Sequence, residues 1–430
     1  MPRRALSEQE SIRHDWQHSR NIRRIRMKPA LELTAPDLRA LLASLIRGSG
    51  LHANKAHYLL ASSLNMDALA SMQPSQSGLQ ESELRSVAHA FAEMLCIPGT
   101  AVDQLMSCQT MDDWAQCALE FWRANPAELV FKTSGSTGTP NACKQSFALL
   151  EQEIQAQAEI FKEHTRIVTL VPRHHIYGFL FSILLPKALG TPVLELPLVP
   201  SRNQMEQLRP GDLVVAFPMF WKSLAVLAPT FPPGVCGVTS TGPCPADVIH
   251  SLLNLGLCRI TEIYGSSETG GIGTRHHPNH DYTLLPFWEP LTIQPDHQAT
   301  LTRRLPNGET AGSFKLPDLI QWETARTFRP LKRQDKCVQV AGVNVYPEKV
   351  ADCIRGHAMV RSCAVRLMRP DEGQRLKAFV VLKDKSHIDA FRRDIRTWLV
   401  QRLSASEIPK SLTFGTALPT NDMGKDADWD

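Results

Sequence analysis

Between Lys132 and Pro140, residues Thr133-Ser134-Gly135-Ser136-Thr137-Gly138-Thr139 form an unbroken run of glycines and small hydroxylated side chains between an apolar segment and a helical one. A loop of this kind exposes many backbone N–H groups, carries little side-chain bulk and adds several hydroxyls, a combination suited to wrapping a polyphosphate. On these residues alone an ordinary flexible turn is an equal alternative. The pattern G-x-x-x-x-G-K-[ST] occurs nowhere, which excludes a P-loop kinase or ATPase.

The flanking sequence predicts the elements that would hold such a loop. Leu38, Leu41, Leu42 and Leu45 line one face of a helix predicted over 36–47, with Thr34 and Asp37 as its capping pair and Gly48 as its stop. Leu84, Val87, Ala88, Phe91 and Leu95 repeat that spacing. Past Gly135 the units alternate: a helix on Phe147, Leu150, Ile154, Ala158 and Phe161, a strand over 167–171, an apolar helix over 179–189, then strands over 213–217 and 260–264. Strands alternating with helices imply a parallel, helix-covered sheet.

From 281 to 334 short runs broken by Pro290, Pro295, Pro306, Gly308 and Gly312 predict a small antiparallel β subdomain. Beyond Gly342 the order is strand (363–367), strand (377–382), a helix on Ile388, Phe391, Ile395, Leu399 and Leu403, and a strand near Leu412. The expected fold is therefore α/β: a large N-terminal domain of helix-covered sheets with a small β subdomain, plus a small mobile C-terminal α+β domain. The domains expected are a basic flexible extension over 1–28, a large domain over 29–335 and a small one over 336–430.

Composition agrees with that size. The chain has 430 residues, 43% hydrophobic and 21% charged, enough for at least two packed domains and no globally disordered chain. Net charge is +4, but residues 1–28 hold eight Arg or Lys against three acids, so that stretch contributes +5 and the remainder −1. A nucleic-acid-binding body is thereby not supported. No apolar run reaches the roughly 18 residues that span a bilayer. The ten cysteines include no C-x-x-C pair, which argues against a zinc ribbon and for reduced thiols in the cytoplasm.

Five further stretches make the loop specific. FKTSGSTGTP resembles the phosphate loop of the adenylate-forming (AMP-binding) superfamily of acyl- and aryl-CoA ligases, carrier-protein ligases and adenylation domains. In that family's order there follow HIYG (175–178), similar to the motif near the acyl pocket, TSTGPCP (239–245), similar to the adenine loop, and YGSSE (264–268), similar to Tyr-Gly-x-Thr-Glu. The stretch from Asp318 through Arg333 and Asp335 to Gly342 resembles the ribose clamp and hinge, and LPTNDMGK (418–425) the catalytic lysine motif. Together they cover residues 131–425.

The resemblance implies an ATP-dependent acid–thiol ligase acting through an acyl-adenylate. Thr133, Ser134, Gly135, Ser136, Thr137 and Gly138 would hold the β- and γ-phosphates of ATP, Ser267 would be a further nucleotide-binding residue, Glu268 would bind Mg²⁺, and Thr241, Gly242 and Tyr264 would enclose adenine. Asp318 and Arg333 would bind the ribose, and Lys425 would bridge carboxylate and α-phosphate. Asp335 would be the hinge that withdraws Lys425 after adenylation, and His175, with Tyr177, would lie near the acyl pocket. The implied substrate is a small carboxylic acid, aryl or short acyl, in the manner of the smaller bacterial ligases. The implied acceptor is coenzyme A or the phosphopantetheine arm of an acyl carrier protein.

Four positions depart from the family pattern. Asn141 stands where a lysine usually follows the proline, leaving Lys144 as its candidate substitute, and Ser267 replaces threonine. Lys332 replaces glycine before Arg333, and Gln339 a lysine near the hinge. The segment before the loop is short for the family. A protein of the same fold without turnover is the competing reading, opposed by the joint presence of Glu268, Asp318, Arg333 and Lys425.

Overall fold

The computed structural model describes residues 31–50, 71–77, 79–124, 126–133, 141–197, 201–293, 297–333, 337–369, 371–419 and 429. The basic stretch 1–28 lies outside them, as do residues 134–140, Asp335 and Lys425. The chain divides into two compact units. One comprises Met1–Phe131 and Cys143–Leu331, the other Lys132–Ala142 and Lys332–Asp430.

Among the described residues the larger unit opens with the α-helices α1 (Ala35–Gly50), α2 (Glu81–Met94), α3 (Ala101–Ser107) and α4 (Met111–Ala124). The backbone N–H and hydroxyl of Thr34 donate to the Asp37 carboxylate at 2.7 and 2.6 Å, as the capping pair predicts. Gly48 does not stop α1, which runs to Gly50. A glycine inside a helix costs only about 1 kcal/mol, and burial of Leu38, Leu41 and Leu42 outweighs it.

The strands of the first half are β1 (Glu128–Thr133), β2 (Asn141–Ser146), β3 (Arg166–Thr169), β4 (Val193–Glu195), β5 (Asp212–Ala216), β6 (Cys236–Thr239) and β7 (Arg259–Ser266). Then follow β8 (Gly270–Arg275), β9 (Tyr282–Leu284), β10 (Trp288–Ile293), β11 (Ala299–Arg304), β12 (Thr310–Lys315), β13 (Asp318–Trp322) and β14 (Thr327–Arg333). One sheet has the order β13-β14-β9-β8-β7-β6-β5-β3-β4. Its β4-β3-β5-β6-β7 part is parallel, and β7-β8-β9 continues it antiparallel.

Neighbouring residues of the parallel strands feed two different cores. Ile167, Leu213, Val215 and Val238 pack with α1, α2, α4 and α5 (Phe147–Phe161) on one face. Val168, Val214 and Ala216 pack with helices Pro218–Leu227 and Ala246–Asn254 on the other. Burial on both faces explains why these strands read as unbroken apolar runs. The apolar helix expected over 179–189 is interrupted: Ile176–Phe179 and Leu185–Leu189 flank a π-helical turn, Leu180–Leu184. Pro186 has no N–H to give to that turn.

The expected β subdomain is only partly separate. β10-β11-β12 form their own antiparallel sheet, whereas β9, β13 and β14 extend the main one. An aromatic cluster of Tyr264, Tyr282, Trp322 and Phe328 drives that extension, with ring centroids 5.4 to 5.8 Å apart.

The smaller unit has a ribbon of β15 (Val338–Val340) and β16 (Val343–Val345), and a sheet of β17 (Val360–Leu367), β18 (Leu376–Leu382) and β19 (Ser411–Gly415). β17 and β18 are antiparallel, β18 and β19 parallel. Helices Pro347–Arg355 and Ile388–Val400 cover the sheet through Val350, Ile354, Phe391, Ile395 and Leu399. The first of these helices was not anticipated, although a proline at its start and its Val350/Ala351/Ile354 face are the usual signals. Among the described residues no helix is long and apolar enough to cross a membrane.

Candidate active site

The carboxyl ends of parallel strands are where α/β sheets bind ligands, and four sequence-predicted residues lie there. His175 follows β3 and caps the N-terminus of helix Ile176–Phe179. Thr241 and Gly242 follow β6, and Tyr264 lies toward the end of β7.

Two buried groups set the loop after β6. The Ser240 hydroxyl donates to the Ile263 carbonyl at 3.0 Å, and the Cys244 N–H donates to the Glu262 carboxylate at 3.3 Å. Glu262 is 2% exposed and balanced by Arg275, whose Nε and Nη2 donate to it at 2.7 and 3.0 Å. Thr241 adopts φ +74°. For a β-branched residue that is an outlier which the surroundings must enforce. The strain places an exposed, left-handed backbone turn where adenine is expected.

Tyr264 and Asp318 meet. The phenol donates to Asp318 Oδ2 at 2.5 Å, joining the expected adenine and ribose residues although 54 positions separate them in sequence. The antiparallel extension of the sheet makes this possible, because Asp318 opens its outermost strand, β13.

Glu268 stands exposed on the turn between β7 and β8, where Ser266 pairs with Gly270 and Gly265 with Gly271. Ser266 and Thr269 exchange side-chain and backbone hydrogen bonds across the turn at 3.1 to 3.3 Å. A Cβ at Gly265 would collide with the Gly270 carbonyl, so the Tyr-Gly pair of the motif reflects the tightness of this hairpin. From β2, the buried Gln145 amide donates to the carbonyls of Ser267 (2.5 Å) and Glu268 (2.9 Å). The Cys143 thiol donates to Glu268 Oε1 at 3.5 Å. One exposed carboxylate fits a hard cation that completes its shell with phosphate oxygens and water. Among the described residues no cluster of three or more His, Cys, Asp or Glu could hold a metal by itself.

The HIYG segment is anchored from beneath. Tyr177 is buried, and its hydroxyl is shared between the Ala216 and Val238 carbonyls at 3.0 and 2.9 Å, so it pins the helix to β5 and β6. Beside His175, with ring centroids 4.4 Å apart, His174 is hydrogen-bonded through Nδ1 to Ser44 at 2.8 Å. Burial pushes the His174 imidazole down to about 3, so it is neutral. Ser44 in turn accepts the Arg173 N–H at 2.9 Å. Buried Arg173 pairs with Glu195 at 3.0 Å, and Glu195 also pairs with Arg47 of α1.

Thr133 ends β1 and Arg333 ends β14. Ser134, Gly135, Ser136, Thr137, Gly138, Asp335 and Lys425 lie outside the described residues. Lys144, the candidate replacement for a lysine at 141, is exposed and 3.6 Å from the Glu128 carboxylate. Gln339 is held by Asn344 across the β15–β16 ribbon. Gln145, Glu262 and Ser44 were missed by sequence reasoning. No spacing signal marks them, since their partners lie 122, 18 and 130 positions away.

Comparison with known proteins agrees with this geometry. Residues 71–292 match the AMP-binding enzyme family, and residues 349–425 match its C-terminal domain. A 4-coumarate–CoA ligase of Halorhodospira halophila is 37% identical over 324 residues, 75% of this chain and 81% of that one. Its counterpart in Rhodobacter capsulatus is 37% identical over 314 residues, 72% of this chain and 77% of that one. The fold is shared with a double mutant of o-succinylbenzoate CoA synthetase from Bacillus subtilis bound to a product analogue, with a TM-score of 0.60, 18% identity and 91% of each chain covered. The chain thus belongs to the AMP-binding enzyme family, the adenylate-forming ligases.

Proposed function

We propose that the chain converts 4-coumarate, ATP and coenzyme A into 4-coumaroyl-CoA, AMP and pyrophosphate. The observation that carries the choice of acid is 37% identity to two 4-coumarate–CoA ligases over more than 70% of this chain. An aryl acid is one of the two classes, aryl or short acyl, that the sequence resemblance implies.

In the first half-reaction a carboxylate oxygen attacks the α-phosphorus, and pyrophosphate leaves with the electrons of the broken P–O bond. Two anions must be brought together, so the work is positioning and charge neutralisation. Thr133 through Gly138 hold the β- and γ-phosphates in this reading. Tyr264 and the strained Thr241–Gly242 backbone flank adenine. Asp318, oriented by the Tyr264 phenol, accepts from the ribose hydroxyls, and Arg333 donates nearby. Glu268, beside Ser267, is the protein ligand for Mg²⁺, which when bound would neutralise phosphate oxygens. Lys425 stabilises the charge shared by carboxylate and α-phosphate, and His175 borders the acid. In the second half-reaction the coenzyme A sulfur attacks the acyl carbon, its proton is lost to solvent and AMP departs. Withdrawal of Lys425 about a hinge at Asp335, on a small domain over 336–430, separates the two steps.

ATP–pyrophosphate exchange across a panel of carboxylic acids tests the assignment. Exchange strongest with 4-coumarate supports it, and exchange confined to short or long aliphatic acids overturns it. Absence of exchange with every acid would favour a protein of this fold without turnover.

A further inference from the structure

The polyphosphate motif ends at Pro140, and β2 begins on the next residue. Along a strand alternate side chains share a face. On β2 the buried Cys143 and Gln145 share one, while exposed Lys144 points away. Both Cys143 and Gln145 reach the turn that carries Glu268, the thiol touching its carboxylate and the amide its backbone.

The Gln145 contact is specific. Its Nε2 donates to two consecutive carbonyls, those of Ser267 and Glu268. Gln145 is 4% exposed, so its amide has little access to water, and leaving such a buried donor unpaired is costly. The next carbonyl, that of Thr269, accepts from Arg303 Nη1 at 3.3 Å. Arg303 is itself buried, bonded to Gln152 (3.0 Å) and to the Leu149 carbonyl (2.5 Å) of α5. Three successive carbonyls of the turn are therefore fixed by buried side chains. On the following residue a Cβ would run into the Glu153 carboxylate. Little room is left for the turn to choose another conformation.

We infer that Gln145 is a positioning residue for adenylation. By holding the Ser267 and Glu268 carbonyls it fixes the direction in which Glu268 presents its carboxylate. It does so from β2, the strand that follows the glycine- and serine-rich motif in sequence. This rests on the reading of Glu268 as the Mg²⁺ ligand, and the test separates the two.

The full chain and its Gln145→Met, Glu268→Gln and double variants are titrated with Mg²⁺ at fixed mant-ATP, a fluorescent nucleotide whose binding requires no acid. Methionine keeps the length and removes both donors. Gln145→Met is expected to raise the Mg²⁺ concentration for half-maximal binding about tenfold, with metal-free nucleotide binding unchanged. The double variant should be no worse than Glu268→Gln alone, since a misdirected amide has no effect on Mg²⁺ binding once no carboxylate ligand remains. Gln145→Glu, in which a carboxylate faces two carbonyls, should raise the requirement further. Thioester formation from synthetic 4-coumaroyl-adenylate should stay within about twofold of wild type.

If Glu268→Gln leaves the Mg²⁺ requirement unchanged, the Glu268 reading is wrong and the inference falls with it. If Glu268→Gln raises the requirement but Gln145→Met does not, Glu268 stands and Gln145 is overturned. Additive effects in the double variant, or an equal loss of both half-reactions, would reduce Gln145 to a structural residue.

Discussion

The proposed functional residues of the two units face different demands. In the larger one, Glu268 and Tyr264 sit on backbone that buried side chains hold from below: Gln145 and Arg303 under the β7–β8 turn, Glu262 and Tyr177 beneath neighbouring strand ends. In the smaller one, the described hydrophobic cluster runs from Val340 to Leu403. Lys425 comes later in sequence. The nearest described anchor beyond it is Trp429, whose ring packs edge-on against Phe379 at 5.8 Å with the Arg366 guanidinium 5.0 Å from its centroid. Nucleotide-binding groups must be correct before substrate arrives, whereas a group used in only one of two steps has to leave. Preorganisation serves the first demand, and withdrawal about a hinge is what the role proposed for Lys425 adds.

The largest break in this comparison should come from Lys425→Ala. Adenylation, followed as ATP–pyrophosphate exchange, is expected to fall about a thousandfold, while thioester formation from synthetic 4-coumaroyl-adenylate persists. Equal loss of both would contradict a role confined to one step. Next is Asp318→Ala, which removes the carboxylate held by Tyr264. The KM for ATP should rise roughly thirtyfold, the magnitude of lost hydrogen bonds to a charged group, with the KM for coenzyme A unaltered. A smaller effect is expected from Trp429→Ala. If Trp429 restrains the segment bearing Lys425, kcat for adenylation drops several-fold and ATP affinity is unaffected; unchanged kcat would remove Trp429 from the account.

The smallest effect distinguishes the units by acid sensitivity. In the larger unit, burial holds His174 at about 3 and also lowers His164 and His276. An unfolded histidine titrates near 6.5. Below that pH the unfolded chain takes up protons that the native imidazoles refuse, so stability present at pH 7 is lost as pH falls, with a limiting slope of about 1.4 kcal/mol per pH unit for each proton. In the smaller unit the partly buried Glu372 carboxylate is held well below its usual range by hydrogen bonds from Arg366, Lys377 and the Arg369 N–H. Its contribution is present above the ordinary carboxylate pKa and disappears only below it. Hydrogen exchange followed by unit should therefore show the larger one loosening first on acidification, and His174→Gln should flatten its acid limb.

How much of this could be read from sequence follows from the range of the interactions. The strands predicted over 167–171 and 213–217, found at Arg166–Thr169 and Asp212–Ala216, were legible because both of their faces are buried and they read as continuous apolar runs. Helix α5 was legible from its periodicity. The assignment of β9, β13 and β14 to the main sheet was not, because alternation tells which residues share a face and not which strand lies alongside. The same limit applies to the site. Tyr264, Glu268 and Asp318 are proposed from short motifs. Gln145 matters only because it touches a turn 122 positions away, and a lone glutamine in a short strand carries no mark of that.

Product stoichiometry tests the central claim most directly. Incubation of the full chain with 4-coumarate, ATP, Mg²⁺ and coenzyme A, resolved by chromatography and mass spectrometry, is predicted to yield 4-coumaroyl-CoA, AMP and pyrophosphate in equal amounts. Thioester accompanied by ADP and inorganic phosphate would contradict attack at the α-phosphorus and the adenylate with it.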